Sequence, residues 1–212
     1  MWNLDSSFQQ RRPIILVDID DTINRFAETY WALHNQVFEE SVHYNSVDQW
    51  EFDLFSSRGV EAYHLFKMPG LFRHIPVKPY AKEFMDSIQK MGEVFVVSDA
   101  PSGTSYGDTV HFSNINYPID VPYSNPVDDK RAWLKEHFPT LPKENVIFCS
   151  CKWMITGDLL IDDKPDTFLE FQKRGRDVIL MDMPYNRNIN TKWRAKNLME
   201  AEEMICELLK KK

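Results

Sequence analysis

Residues 14–23 read IILVDIDDTI, apolar through Val17 and then carrying three carboxylates, Asp18, Asp20 and Asp21, within four residues. A short apolar run rich in β-branched residues suits a strand buried on both faces, as in the middle of a parallel sheet. Ending such a strand in clustered acid is costly, because like charges at this spacing repel and resist desolvation unless solvent or a cation takes them up. The stretch therefore sets two expectations: a central strand, and a charged site at its carboxyl end.

Four more runs have the same buried-strand character: EVFVVS (93–98), NVIFCS (145–150), DLLID (158–162) and DVILMD (177–182). Helical patterns separate most of them. KPYAKEFMDSIQKM (78–91) puts Tyr80, Phe84, Ile88 and Met91 on one face and stops at Gly92. DDKRAWLKEHFP (128–139) opens on an Asp able to cap and halts before Pro139, and PDTFLEFQKRG (165–175) opens with Pro165 and closes with Gly175. Strand alternating with helix predicts an α/β fold, a doubly wound, Rossmann-like parallel sheet of about five strands. The tail WRAKNLMEAEEMICELLKKK (193–212) reads as a docking helix with Trp193, Leu198, Ala201, Ile205 and Leu208 on one face.

Residues 24–75 break this rhythm, being aromatic, helical in pattern around FAETYWALHNQVF (26–38), and without a clear buried strand. They read as a small helical cap inserted after the first strand, over the carboxyl ends of the strands, where open parallel sheets bind ligands. The expected division is a core of residues 1–23 and 76–212 and a cap of residues 24–75.

Composition narrows the partners. With 212 residues, 43% hydrophobic, 13% aromatic and 7 Gly, the chain has the material for a real core and no fibrous or disordered bias. Its 25 Lys+Arg against 32 Asp+Glu give a formal charge of −7, which argues against polymeric nucleic acid and for a small-molecule substrate. MWNLDSSFQQRR lacks the apolar centre of a secretory signal, and no run is long enough to span a bilayer, so the expectation is a cytoplasmic protein without a membrane partner. Cys149, Cys151 and Cys206 form neither a disulfide framework nor a zinc signature and read as reduced, packing cysteines.

In a parallel sheet the carboxyl ends of different strands converge on one edge. Asp18 and Asp20 end the first strand, Ser98 and Asp99 the second, Lys152 follows the third, and Asp162 and Asp163 end the fourth. Taken singly, each has a plain reading as a turn, a cap or a surface lysine. Their joint placement at four strand ends reads as one site. Carboxylates from two strands make a hard oxygen cage suited to Mg2+, which keeps several waters and bridges to phosphate. With the cation, Lys152 and the Ser98 hydroxyl answering phosphoryl charge, a carboxylate can attack a dianion. Asp18, the last buried strand position, is the rigid nucleophile, and Asp20, two residues on and on the same side, the acid/base. The expected reaction is phosphomonoester hydrolysis through an aspartyl-phosphate.

The set DIDDT (18–22), Ser98, Lys152 and LLIDD (159–163) is similar to the four-motif signature of the haloacid dehalogenase superfamily of phosphatases. Over nearly the whole chain, the short cap, VFVVSDAP (94–101), DKRAWLKEHF (129–138), CKWMITGDLLIDDKPD (151–166) and MPYN (183–186) resemble the 5'(3')-deoxyribonucleotidase family of bacterial or phage type. The resemblance implies hydrolysis of (deoxy)ribonucleoside monophosphates. It implies Asp18 as nucleophile and metal ligand, Asp20 as acid/base that also binds metal through its carbonyl, Asp163 as third protein ligand, and Asp162 as their near neighbour. Lys152 is preferred over Lys130 for the phosphate, with Lys130 lining the entrance. Phe26 and Trp50 match positions that sandwich the base, whereas Tyr30, Trp31 and Phe52 read as cap core. Two departures stand out: Asp21, where many relatives carry Gly, and Asp99 beside Ser98, where it can crowd the phosphate. A phosphatase of another small metabolite is the alternative; a phospho-receiver module is disfavoured by motif order, and a silent binding module by the presence of both Asp18 and Asp20. Base, sugar, 5' or 3' phosphate and oligomeric state stay open, a homodimer being one assembly the sequence allows.

Overall fold

A computed structural model describes residues 11–103, 110–111, 120–121 and 125–210. Strand β1 (Ile14–Val17) is followed by helix α1 (Phe26–Phe38), a series of 3-10 turns, and helix α2 (Ala81–Met91). Then come β2 (Glu93–Ser98), the short strands β3 (Val110–His111) and β4 (Asp120–Val121), and α3 (Pro126–His137). The chain closes with β5 (Val146–Phe148), β6 (Leu159–Asp162), α4 (Pro165–Lys173), β7 (Asp177–Met181), β8 (Arg194–Ala195) and α5 (Leu198–Leu209).

Six strands form one sheet in the order β5-β2-β1-β6-β7-β8, with every pairing parallel. β1 lies inside it, Leu16 opposite Phe95 on one side and Leu160 on the other, as its unbroken apolar character requires. Strand alternation sends Ile15, Val17, Leu159 and Ile161 to the face covered by α2, α3 and α5, and Leu16, Leu160, Val178 and Leu180 to the face covered by Phe168 and Phe171 of α4. Helices thus cover both faces of a doubly wound sheet. β3 and β4 pair antiparallel as a separate ribbon.

The sixth strand departs from the expectation of about five. Trp193 is not on the terminal helix: its carbonyl accepts a sheet bond from Leu180, and Arg194–Ala195 pair with β7. The helix begins only after Asn197, whose side chain accepts from the Glu200 amide at 2.9 Å, a strong N-cap that sets the boundary. Tyr80 also leaves its expected face. It precedes α2 in a left-handed conformation (φ 67°) and donates from its exposed hydroxyl to Glu202 at 2.8 Å. The cap of α3 is Asn125, ahead of Pro126, and not one of the following Asp residues. Gly92 does end α2, for a packing reason: a Cβ there would strike the Pro13 carbonyl oxygen.

Between β1 and α2 the chain has no strand of its own beyond an isolated Asn24–Val77 bridge. Instead α1 and the 3-10 turns Tyr44–Ser46, Phe52–Phe55 and Gly59–Lys67 collect a separate aromatic cluster around Tyr30, Trp31 and Phe52, completed from the far end of the chain by Met183 and Tyr185.

Candidate active site

Asp18 remains part of the sheet, its amide donating to Ile161 at 3.0 Å, so its carboxylate is fixed by the strand. Beyond it the chain turns sharply, the amides of Thr22, Ile23 and Asn24 all reaching the Ile19 carbonyl. Asp21 takes the left-handed conformation there (φ 52°), a geometry that explains why Gly suits this position and Asp tolerates it. Its carboxylate accepts from the Ala27 amide at 2.9 Å, satisfying an orphan donor of the first turn of α1. Asp21 thus caps the start of α1 from outside the helix. Asn24 braces the same turn, accepting from the Asp21 amide and donating to Asp20 at 3.0 Å.

Two buried lysines enter from opposite sides. Lys152 lies 2.8 Å from Asp18 Oδ1 and 2.6 Å from Asp162 Oδ2. Burial opposes its charge, but Asp162 and Asp18 outweigh that and hold it firmly protonated. Lys130, from the first turns of α3, contacts Asp20 Oδ2 at 2.5 Å, the Ser98 hydroxyl at 3.3 Å and the Asp99 carbonyl, with its ammonium 4.8 Å from the Phe72 ring centre. At 1% exposed it is not at an entrance, as the sequence suggested, but packed behind Asp20 and Ser98. The reason is helical register: the buried face of α3 that carries Trp133 and Leu134 also carries Lys130. The Asp99 carboxylate accepts from Ala100 N and the Ser150 hydroxyl, both at 2.8 Å, and Asp99 lines the same cavity as Ser98.

Asp162 and Asp163 close the fourth side. Asp162 accepts from the Lys164 amide at 2.9 Å, and Asp163 from the Thr22 hydroxyl at 3.4 Å and the Tyr185 hydroxyl at 2.5 Å. Asp18, Asp162 and Asp163 each offer an oxygen within 4.8 Å of the others, all three residues being buried. Burial pushes Asp163 well above the usual carboxylate range, and Asp162, Asp18 and Asp21 add to this. Burial also raises Asp21 to about 6, against the pull of Lys78. Among the described residues, the carboxylates of Asp18, Asp20, Asp21, Asp162 and Asp163 are met by the ammonium groups of Lys78, Lys130 and Lys152, so acid outnumbers the cations set against it. Asp18 Oδ1 is buried, and its contact among the described residues is the Lys152 ammonium, an ion pair at 2.8 Å. A hard divalent cation fits this donor set: it balances the remaining charge and uses the spare oxygens.

A cavity of about 220 Å3 opens on this cluster. Its floor is Asp18, Asp20, Ser98, Lys152 and Asp163 from the strand ends, and its aromatic wall is Phe26, Trp50, Phe52, Tyr63, Phe66 and Phe72. Phe26 is 5% exposed and nearly parallel to Phe72 (5.6 Å, 4°), so it packs inside the aromatic cluster and lines the cavity at once. Trp50 is half-buried, edge-on to Tyr185 at 5.0 Å, with the Lys164 ammonium 5.0 Å from its ring centre. Lys78, Tyr185, Phe66 and Phe72 were not singled out from sequence. The MPYN pattern stands in the sequence, but nothing in it reveals that the Tyr185 hydroxyl reaches Asp163.

Residues 12–212 match the family model described as 5' nucleotidase, deoxy (pyrimidine), cytosolic type C protein. The chain is 25% identical over 201 residues to a 5'(3')-deoxyribonucleotidase of Clostridium acetobutylicum, covering 94% of this chain and 97% of that protein. Among solved structures, a HAD family hydrolase of Deinococcus radiodurans with bound phosphate and sodium superposes with a TM-score of 0.60 at 10% identity, over 93% of this chain and 96% of that one. A HAD hydrolase of Bacillus subtilis bound to magnesium gives 0.54 at 13% identity, over 92% and 99%. At such identities these two establish the shared fold. No helix among the described residues is long and apolar enough to cross a membrane.

Proposed function

Because the chain belongs to the 5' nucleotidase, deoxy (pyrimidine), cytosolic type C family, an enzyme family of the HAD-like phosphatases, we propose that it is a Mg2+-dependent 5'-nucleotidase acting on deoxyribonucleoside monophosphates through an aspartyl-phosphate on Asp18. One observation carries the reading: the cavity lined by Asp18, Asp20, Ser98 and Lys152 is also lined by the rings of Phe26, Trp50, Phe52, Phe66 and Phe72. Charged groups for a phosphate and flat apolar surface for a base share one space.

The Asp18 carboxylate attacks phosphorus and the bond to the leaving alkoxide breaks. Asp20 gives its proton to that alkoxide. Its carboxyl is disposed to carry one, since burial and then Asp18 raise its pKa while Lys130 opposes the rise. In the second half Asp20 takes a proton from water, the water oxygen bonds to phosphorus, and inorganic phosphate leaves with Asp18 regenerated. Ser98 and Lys152 are the donors for the phosphoryl oxygens, and Lys130 and Asn24 hold Asp20 in place. Asp18, Asp163 and Asp162, together with the Asp20 carbonyl, are the groups that would hold the cation, which when bound supplies charge to offset the phosphoryl oxygens. Residues 24–75 serve as the cap, with Phe26 and Trp50 against the base.

Phosphate release from a panel of ribo- and deoxyribonucleotides, with Mg2+ and with a chelator, tests reaction and substrate together. The expected result is release from deoxynucleoside 5'-monophosphates that stops in chelator, returns with Mg2+ and returns poorly with Ca2+, whose larger, looser coordination spoils in-line attack. Full activity in chelator removes the cation from the mechanism, and equal turnover of sugar phosphates removes the base.

A further inference from the structure

Tyr185 belongs to two environments at once. Its ring is 3% exposed within the aromatic cluster of residues 26–75 and forms the edge-on partner of Trp50, 5.0 Å between centres at 80°. Its hydroxyl leaves that cluster and lies 2.5 Å from Asp163 Oδ2 and 3.0 Å from Asp21 Oδ2. The backbone that carries it is fastened to the same place. The fully buried Asn186 donates to the carbonyls of Asp163 and Met181, both at 2.7 Å, and its side-chain oxygen accepts from Met183 N at 3.2 Å and from Arg194 at 2.6 Å. Phenylalanine would fill the ring's site among these aromatics equally well, so packing alone does not account for the hydroxyl.

We propose that Tyr185 is a positioning residue that couples cation binding to substrate recognition: its hydroxyl fixes Asp163 for the cation while its ring seats Trp50 at the cavity wall. The inference rests on the reading of Asp163 as a cation ligand. A carboxylate that gives one oxygen to a metal is held by a hydrogen bond on the other, and losing such a partner lowers metal affinity 10- to 100-fold as an order of magnitude. Because the same side chain supports Trp50, removing the whole ring disturbs both functions, whereas removing the hydroxyl disturbs one.

The test is Mn2+ binding to the full chain without substrate, followed by electron paramagnetic resonance of the free ion, for the wild type, Tyr185→Phe, Tyr185→Ala and Asp163→Asn. Tyr185→Phe should bind Mn2+ about 10- to 100-fold more weakly with its melting temperature in chelator unchanged. Its turnover should recover at high Mg2+ with the wild-type KM for a deoxynucleotide, a rescue that an unfolded variant cannot show. Tyr185→Ala should lose Mn2+ affinity and also keep a raised KM at saturating Mg2+. If Asp163→Asn loses Mn2+ and Tyr185→Phe binds as the wild type does, the inference falls and the site reading stands. If Asp163→Asn itself binds normally, Asp163 is not a ligand and both fall.

Discussion

The two sides of the cavity are built differently. On the sheet side each charged group is held by specific short contacts from several elements: Asp18 by Lys152, Asp20 by Lys130 and Asn24, Asp162 by Lys152 and the Lys164 amide. Along the aromatic wall the rings mainly meet other rings, Phe26 against Phe52, Phe66 and Phe72, and Phe52 against Tyr30, Trp31 and Trp50. The backbone differs as well. Parallel strands fix the floor, whereas much of the wall hangs on 3-10 turns with poorer hydrogen-bond geometry. Reaction geometry needs the first kind of surface and tolerance of substrate shape the second, so substitutions on the two sides should fail in different ways.

The largest effect is expected at the centre of the floor. Asp18→Asn should lower turnover by about 10^4-fold or more, because an amide cannot form the acyl-phosphate, with melting temperature close to that of the wild type. Phosphate release well above that level would remove Asp18 from the nucleophile role.

Next come the two lysines, each expected to cost on the order of a hundredfold in kcat/KM when replaced by Ala, since each supplies buried counter-charge. Their signatures should differ because their partners do. Lys130 touches Asp20, the proposed proton donor, so Lys130→Ala should hurt a deoxynucleotide, with its poor alkoxide leaving group, far more than para-nitrophenyl phosphate. Lys152 touches Asp18 and Asp162, so Lys152→Ala should hurt both substrates alike. The reverse pattern would exchange the roles.

Across the cavity, Trp50→Ala should raise KM for a deoxynucleotide about 5- to 100-fold, the scale of one base-stacking contact, and leave 2-deoxyribose 5-phosphate nearly unaffected. Equal losses on both, with a lowered melting temperature, would make Trp50 packing and nothing more.

The same contrast governs what the sequence discloses. Asp18, Asp20, Ser98, Lys152 and Asp163 could be gathered from distant positions because parallel strands bring their carboxyl ends to one edge, a rule that needs no side-chain detail. Lys130 was misjudged because its position on α3 alone cannot say how deeply that helix face is buried or that the lysine extends to Asp20. β8 was missed because two residues, Arg194 and Ala195, carry no periodicity. Tyr185 lies 164 residues from Asp21 and was reachable only through tertiary packing. The aromatic wall was visible as composition but not as arrangement, since a ring that lines a cavity and a ring that fills a core look alike in one dimension.

The smallest predicted effect separates the two sides by pH. His34 is fully buried within the wall's cluster, its Nε2 2.7 Å from the Ser56 hydroxyl and its ring 4.8 Å from Trp31 and 4.9 Å from Phe38. Burial lowers its pKa, Arg58 acts in the same direction, and Asn35 and Glu40 only partly offset the shift. The folded protein therefore prefers His34 neutral, while an unfolded segment would take up a proton near pH 6.5. The stabilisation this gives is complete above that value and is lost as pH falls below it toward the folded pKa. Lowering the pH from 7 to 5 should weaken amide protection by a fewfold in the half of α1 that carries His34, after correction for intrinsic exchange rates and apart from any change at the Ala27 end, where Asp21 titrates at about 6. His34→Gln cannot be protonated, so it should flatten the response in α1. Protection in α1 that does not change with pH, or that changes equally in His34→Gln, would mean that the cluster's packing outweighs the charge and that the wall is as rigid as the floor.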